Sequence, residues 1–156
     1  MSEYRLIEGN LSIDGANVGI AVARFNAFVV ESLLAGALDA LRRGGVPTAK
    51  VTVVRVPGAF ELPLVLDKMA ASGDYDGLIA LGAVIRGATT HYEAVADGCN
   101  RGIAQVSLSR SLPVVNAVLT TENIEQAIER AGSKAGNKGS EAGSVLIEMM
   151  NVVRQL

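Results

Sequence analysis

The stretch GLIALGAVI, residues 77–85, is a nearly continuous aliphatic run near the middle of the chain. A strand that is apolar along its whole length, without alternating polar residues, is typical of a parallel sheet covered by helices on both faces. Three further short runs, at residues 18–23, 51–56 and 113–119, are rich in β-branched or aliphatic residues. We therefore predict an α/β fold built on a four-stranded parallel sheet.

Longer segments with helical spacing lie between and after these runs. They cover residues 27–43, 59–72 and 89–108, a short helix after Thr121, and residues 140–155. We expect Asn26 and Thr121 to act as N-caps, because a side-chain oxygen there accepts a hydrogen bond from a free backbone N–H. Strands that alternate with helices imply right-handed crossovers, and the best fit is a flavodoxin-like, three-layer sandwich.

The chain has 156 residues, a length that suits one hydrophobic core, so we predict a single domain over residues 1–156. Residues 1–17 form an N-terminal arm outside the strand-helix repeat. Tyr4, Leu6 and Ile7 are typical of a short strand. Two interpretations of the arm stay open, an arm that pairs with the sheet of a neighbouring subunit and a frayed tail.

Composition excludes several classes of protein. The 14 basic and 16 acidic side chains form no long block of either sign, which argues against nucleic-acid binding. The pattern of a signal peptide and a long apolar span are both absent, so we expect a cytoplasmic protein without a membrane partner. The single cysteine and single histidine are too few for the usual zinc site, and no nucleotide-binding glycine motif follows a strand. We expect neither a metal nor a cofactor.

The chain is more hydrophobic than most small soluble proteins. Its mean hydropathy is +0.33, and 19% of its residues are charged, against about 25% on average. Either the additional apolar residues form interfaces with other copies of the chain, or they fill a richly apolar core.

Several candidate binding residues follow the predicted strands, and ligands of open α/β sheets bind beyond the carboxyl ends of the strands. Phe25 and Phe60 either sandwich a flat ring or pack in the core. Glu61 either complements the start of a helix or accepts hydrogen bonds from ligand hydroxyls.

The segment RGATTH, residues 86–91, joins the third strand to a helix. Thr89 either caps that helix or, with its neighbours, binds an anion at the helix start. His91 either transfers protons near neutral pH or simply packs or faces water. Arg130, near the end of a later helix, either complements the helix dipole or binds phosphate. The residues alone thus predict a flat-ring pocket beside an anion pocket.

Five runs in this chain resemble the lumazine synthase family, in the same order. They are ARFN at 23–26, VPGAFELP at 56–63, GAVIRGATTHY at 82–92, LTTENIEQAIERAG at 119–132 and AGNKG at 135–139. The resemblance implies a transferase without cofactor or metal. It would condense 5-amino-6-(D-ribitylamino)uracil with 3,4-dihydroxy-2-butanone 4-phosphate to 6,7-dimethyl-8-ribityllumazine, releasing phosphate and water, in the penultimate step of riboflavin synthesis.

The resemblance also implies an assembly, a homo-oligomer of pentamers, either single, paired or closed into an icosahedral capsid. Riboflavin synthase is a candidate partner. On the residues alone, two other functions stay open: a flavin- or nucleotide-binding module without catalysis, and a structural shell protein. Formation of fluorescent lumazine from the two substrates distinguishes the enzyme from both.

The resemblance implies a role for each matching residue. Phe25 stacks on the pyrimidine, and His91 transfers protons. The pyrimidine and ribityl chain are held by Ala59, Phe60, Glu61, Ala83, Val84 and Ile85. Phosphate is held by Ala88 and Thr89, by Arg130 from a neighbouring subunit, and near Lys138. Asn116 stands where many members have an aromatic residue in contact with the pyrimidine pocket, so we expect it to hydrogen-bond the ring or the ribityl chain.

Overall fold

Four parallel strands form the central sheet of the computed structural model, which describes residues 3–133 and 136–156. The strands are β1 (Val18–Ala23), β2 (Val51–Val56), β3 (Gly77–Ile85) and β4 (Val114–Thr121). Their order in the sheet is β2-β1-β3-β4, and each neighbouring pair is parallel. The predicted α/β class is therefore confirmed. Ala135, in the last of the five runs, and the first two residues of the arm lie outside the described residues.

The burial of the strands explains their composition. All six residues of β1 and eight of the nine in β3 are buried, because both strands have a neighbour on each side and helices above and below. The edge strand β2 has only Val56 buried, and Val53 on this strand is 38% exposed. The continuous apolar run at residues 77–85 thus marks the strand between β1 and β4.

Among the described residues, five helices cover the two faces of the sheet. They are α1 (Ala27–Arg43), α2 (Leu62–Ser72), α3 (His91–Arg110), α4 (Ile124–Arg130) and α5 (Lys138–Arg154). One core cluster contains buried residues of α1 and α5, and the cluster on the opposite face contains those of α2 and α3. This arrangement is the predicted three-layer sandwich. Short 3-10 turns precede β2 and α2, at Thr48–Lys50 and Ala59–Glu61, and a small antiparallel pair, β5 (Ala131–Ser133) and β6 (Gly136–Asn137), precedes α5.

The prediction that Thr121 caps the short fourth helix is wrong. Thr121 is the last residue of β4, and its hydroxyl donates to the carbonyl oxygen of Asn123 at 2.9 Å. The cap of α4 is Asn123, whose side-chain oxygen accepts from the backbone N–H of Gln126 at 2.9 Å. The strand continues to Thr121 because β4 pairs with β3 along its whole length, up to Ile85 opposite Thr121.

Three predicted helices also begin elsewhere. The second starts at Leu62 and not at residue 59, since residues 59–61 form a 3-10 turn. The third starts at His91 and not at residue 89. The last starts at Lys138 and not at residue 140, because the Asn137 side-chain oxygen accepts from the backbone N–H groups of Gly139 and Ser140, at 2.8 and 3.1 Å.

The N-terminal arm contains no strand within residues 3–17, and its second half is held along the last helix. Asn151 donates to the carbonyl oxygens of Asn10 and Ser12, both at 2.9 Å, and Gln155 donates to that of Glu8 at 2.8 Å. Ile13 is buried in the core. From Glu8 onward the arm is therefore not a frayed tail.

No helix within residues 3–133 and 136–156 has the length and apolar character needed to cross a membrane.

Helices α1 and α5 approach each other closely at a glycine. A Cβ atom added to Gly139 would lie 1.9 Å from the backbone carbonyl oxygen of Leu33. A rigid backbone atom cannot move away as the tip of a side chain can, so this contact requires a residue without a side chain.

We expect Gly139→Ala to lower the free energy of unfolding by about 1–3 kcal/mol, because α1 and α5 must separate to admit the methyl group. Urea denaturation at a fixed protein concentration measures the change. Gly87→Ala is the control, since a Cβ atom there would meet nothing within 4 Å. Equal stability of the two variants would contradict the importance of this contact.

Candidate active site

A cleft of about 600 Å³ lies at the carboxyl edge of the sheet. It is formed by the loops after β1, β2 and β3 and by the first turns of α3. The predicted site residues that line it are Phe25, Ala59, Phe60, Glu61, Ala83, Val84, Ile85, Thr89 and His91. Those outside its lining are Ala88, Asn116, Arg130 and Lys138. The parallel register brings the first group together, because it places the ends of three strands at one edge.

The two phenylalanine rings of the cleft are largely exposed. Phe25 is 72% exposed and Phe60 is 61% exposed, so the alternative that they pack in the core is wrong. One edge of the Phe60 ring lies against α3, where a Cβ atom added to Gly98 would be 2.8 Å from the ring carbon Cε2. Both rings therefore offer apolar surface to a ligand.

Asn26 joins the start of α1 to the floor of the cleft. Its backbone is left-handed, with φ 62° and ψ 43°, and its side chain does not cap the helix, so the predicted side-chain cap is wrong. The amide Nδ2 donates instead to the carbonyl oxygen of Ala83 on β3, at 2.8 Å. Asparagine tolerates a left-handed backbone better than most residues, and its short amide reaches the neighbouring strand from there.

The loop between β3 and α3 carries polar groups at the rim of the cleft. The Thr89 hydroxyl oxygen accepts from the backbone N–H of His91 at 3.3 Å, so Thr89 both supports the helix start and lines the cleft. His91 is exposed and is the first residue of α3. This histidine is therefore not packed in the interior, and its exposure agrees both with a proton-transfer role and with a side chain that faces water.

Comparison with known proteins identifies the family of this chain. The sequence model of the 6,7-dimethyl-8-ribityllumazine synthase family matches residues 15–154, which include every residue that lines the cleft. The chain belongs to the lumazine synthase family. Family membership confirms the resemblance and implies an enzyme with lumazine synthase activity and small-molecule substrates.

The lumazine synthase cleft is lined by an acidic side chain, but no lysine or arginine among the described residues of the chain lines it. Within the described ranges 3–133 and 136–156, its lining includes the carboxylate of Glu61 and the imidazole of His91 but neither a lysine nor an arginine. The cations that the resemblance places at the phosphate, Arg130 and Lys138, are therefore not part of this cleft within the described residues of one chain.

The two predicted phosphate cations lie elsewhere on the lumazine synthase fold. Arg130 is the exposed last residue of α4, and its Nη1 donates to the carbonyl oxygen of Gln126 at 3.2 Å. Ala127 anchors α4 in the core cluster shared by α1 and α5. Lys138 is the exposed first residue of α5.

Asn116 lies on the edge strand β4, and its side chain is exposed outside the cleft. Its Nδ2 donates to Asn100 Oδ1 on α3 at 2.8 Å, and its Oδ1 accepts from the backbone N–H of Val118 at 2.9 Å. The amide is thus oriented by its own chain and remains accessible from solvent.

Two further observations concern the cysteine and the metal-ligating side chains of the lumazine synthase chain. Cys99 lies in the core between α2 and α3, and burial raises the pKa of its thiol to about 11, so it is protonated at neutral pH. In residues 3–133 and 136–156, no three His, Cys, Asp or Glu side chains cluster in a way that would hold a metal ion.

Sequence reasoning missed several residues of the cleft. Tyr92, Ala94 and Val95 line it from the first turns of α3. Tyr92 lies in the run at 82–92 that carries the family resemblance. Its position one residue after His91 was the available signal. To predict which way a helical side chain points, however, one must know how the helix packs.

We expect Asn26→Ala to be less stable than Asn26→Gly, although both lose the hydrogen bond to Ala83. Alanine in a left-handed backbone costs roughly 1–2 kcal/mol more than glycine. Urea denaturation of both variants and the wild type measures the difference. Equal stabilities would contradict the requirement for a left-handed residue at this turn.

Proposed function

We propose that this chain condenses 5-amino-6-(D-ribitylamino)uracil with 3,4-dihydroxy-2-butanone 4-phosphate to 6,7-dimethyl-8-ribityllumazine, releasing phosphate and water. The reaction is a transferase step, the penultimate one of riboflavin synthesis. One observation carries the proposal: a cleft that lies within the region matched by the family joins exposed aromatic rings to a histidine at the start of a 20-residue helix.

The pyrimidine and its ribityl chain are assigned to the apolar half of the cleft. The face of Phe25 is available for stacking on a flat ring. Ala59, Phe60 and the end of β3, residues 83–85, form the adjacent wall. The exposed carboxylate of Glu61 can accept hydrogen bonds from the ribityl hydroxyls. In this assignment the flat ring contacts the aromatic surface of Phe25, and the ribityl hydroxyls contact the carboxylate of Glu61.

The phosphate is assigned to the loop of Ala88 and Thr89. The positive end of the α3 dipole favours an anion there. Because no lysine or arginine within residues 3–133 and 136–156 lines this cleft, we assign the missing charge to Arg130 of a neighbouring copy, with Lys138 nearby. We assign Asn116 in the same way to the pyrimidine pocket of a neighbouring copy.

These assignments determine the kind of assembly. The cleft lies above β1, β2 and β3, whereas Asn116 lies on β4, at the opposite edge of the sheet from β2. Two different surfaces therefore meet at the contact, and a contact of that kind closes into a ring when its rotation permits. Two exposed apolar residues of α4, Ile124 and Ile128, lie six and two residues before Arg130 and support burial of this surface.

The same reasoning extends to the wider assembly. On α5, Val145, Met149 and Val153 are spaced by four residues and are 47%, 40% and 41% exposed, so they form one apolar stripe. We propose a cytoplasmic pentamer, single or assembled into larger shells, in which the exposed start of the arm contacts a neighbouring copy. Riboflavin synthase remains the candidate partner. Negative-stain images distinguish a pentamer, a decamer and an icosahedral capsid.

The chemistry requires several proton transfers. The amine of the pyrimidine attacks the ketone, water leaves to form an imine, phosphate is eliminated, and ring closure releases a second water. We assign these transfers to His91, which is exposed at the rim between the aromatic pocket and the phosphate loop. Holding both substrates in one cleft supplies a further part of the rate.

We expect His91→Ala to lower kcat by roughly 10²-fold or more, as for loss of a general acid–base group, with little change in the Kd of a product analogue. Fluorescence of the lumazine product measures turnover, and titration measures binding. Gln105→Ala, an exposed position on the same helix, is the control. Equal losses in kcat and binding would make His91 a binding residue. If the wild type binds the pyrimidine without forming lumazine, the protein is a binding module instead.

We expect Arg130→Ala to raise the KM for the phosphorylated substrate about tenfold or more, because a hydrogen bond to a charged group is lost. The KM for the pyrimidine should change little. Arg101→Ala, an exposed arginine of α3, is the control.

Mixed oligomers test whether Arg130 acts in a neighbouring cleft. Co-refolding His91→Ala chains with Arg130→Ala chains should restore activity, since roughly a quarter of the clefts in a random equal mixture receive both native residues from different copies. Activity no higher than that of the two separate variants would place Arg130 and His91 in the same copy, or outside the mechanism.

A further inference from the structure

The residue after β3, Arg86, connects three elements around the rim of the cleft. Its backbone N–H donates to the carbonyl oxygen of Thr121 at 2.8 Å, directly after the last paired residues of β3 and β4. Its Nε lies 2.7 Å from Glu122 Oε2, after β4, and its Nη2 lies 3.2 Å from Glu93 Oε1, in the first turn of α3. Its guanidinium carbon is 4.9 Å from the centre of the Tyr92 ring. One side chain thus joins the end of β4 to the start of α3.

An arginine is the side chain that can make these contacts together. Its separate nitrogens point in fixed directions toward the two carboxylates, while its flat face rests on an aromatic ring. A lysine is a single compact charge and cannot make both types of contact with the same geometry. The contacts are exposed, and each one alone is weak, but all of them act on the same short segment.

That segment is the loop of residues 87–90, which holds the proposed phosphate site and precedes His91. Every residue from Arg86 to His91 is exposed, and a Cβ atom at Gly87 would meet nothing within 4 Å. The loop therefore has little packing of its own to hold it. Arg86 lies at its start, and Tyr92, which is half-buried and lines the cleft, lies at its end.

We propose that Arg86 is a positioning residue, whose guanidinium holds Tyr92 and Glu93 against Glu122 and so fixes the loop of residues 87–90 and His91 at the rim of the cleft. Arg86 lies outside the cleft lining, and two carboxylates compensate its charge. It therefore acts through the loop and not as a ligand of the substrate phosphate. The kinetic consequence rests on the proposed function, whereas the order of the loop does not.

The competing role, a direct phosphate ligand, predicts an opposite effect at Glu122. If Glu122 helps Arg86 to hold the loop, then Glu122→Gln loosens the loop and slows turnover. If Arg86 binds phosphate directly, removal of the competing carboxylate charge frees the arginine and lowers the KM for the phosphorylated substrate. The sign of the change in Glu122→Gln thus separates the two roles.

The experiment uses the full-length, assembled protein and three variants, Arg86→Met, Glu122→Gln and the control Arg101→Met. Arg101 is an exposed arginine of α3 that pairs with Asp97 at 3.1 Å, one helical turn away. Amide hydrogen exchange of a peptide covering residues 86–95 is measured in the free protein, and kcat and KM are measured by lumazine fluorescence. We expect faster exchange in this peptide for Arg86→Met and Glu122→Gln, with kcat lowered roughly 10- to 100-fold for Arg86→Met, as for a misplaced catalytic group. Arg101→Met should change neither quantity.

Unchanged exchange in both Arg86→Met and Glu122→Gln overturns the proposal, and a lower KM in Glu122→Gln assigns Arg86 to phosphate binding. If Arg86→Met does not assemble, Arg86→Lys replaces it. Its peptide of residues 86–95 should exchange amide hydrogens faster than the wild type but more slowly than expected for Arg86→Met, since lysine keeps the positive charge but lacks the separate nitrogens of the guanidinium. A wild-type protein that forms no lumazine would overturn the proposed function alone, because the exchange measurement needs no substrate.

Discussion

The hydrogen-bonded ladders that join β3 to β1 and β4, and β1 to β2, position the loops of the cleft. β3 pairs with β1 from Gly77 and with β4 up to Ile85, in parallel throughout. Its side chains Leu78, Ile79 and Leu81 are completely buried, and burial of each such side chain contributes about 1.5–3 kcal/mol relative to exposure. Because the strands are parallel, their carboxyl ends meet at one edge. The aromatic, histidine and threonine side chains of three separate loops converge there as a consequence.

A second constraint concerns charge. A cleft suited to a flat ring and an anion carries a carboxylate and an imidazole, but no arginine or lysine among the described residues 3–133 and 136–156 lines it. The arginine closest to the loop in sequence, Arg86, is held by Glu93 and Glu122. Arg130, to which we assign the substrate phosphate, lies on the helix after the edge strand β4. The proposed division of the site between two copies would account for both facts, and it requires two different surfaces of the chain to meet.

The predictions that succeeded rest on patterns that extend over several residues. Residues 18–23, 51–56 and 77–85 are strands with the predicted bounds, and Ala27–Arg43 is a helix, since burial on one or two faces constrains every residue of such an element. The predictions that failed concern the starts of helices and the roles of single side chains. Asn26 and Thr121 both have the chemistry of N-caps, but Asn26 bonds to Ala83, 57 positions away in sequence, and Thr121 extends a strand. A local rule cannot include a partner that only folding brings near.

The amino-acid sequence by itself determined the class of the fold, the order of its elements, the family and most residues of the cleft, because aliphatic strands, helix spacing and contiguous motifs are all local properties of the chain. Only the tertiary structure decided which of those residues share one cleft. It exposed Phe25 and Phe60, left Asn116, Arg130 and Lys138 outside, and placed Arg86 between Glu93 and Glu122. These outcomes depend on distances between residues far apart in sequence, which the packing of strands and helices sets and which no local pattern encodes.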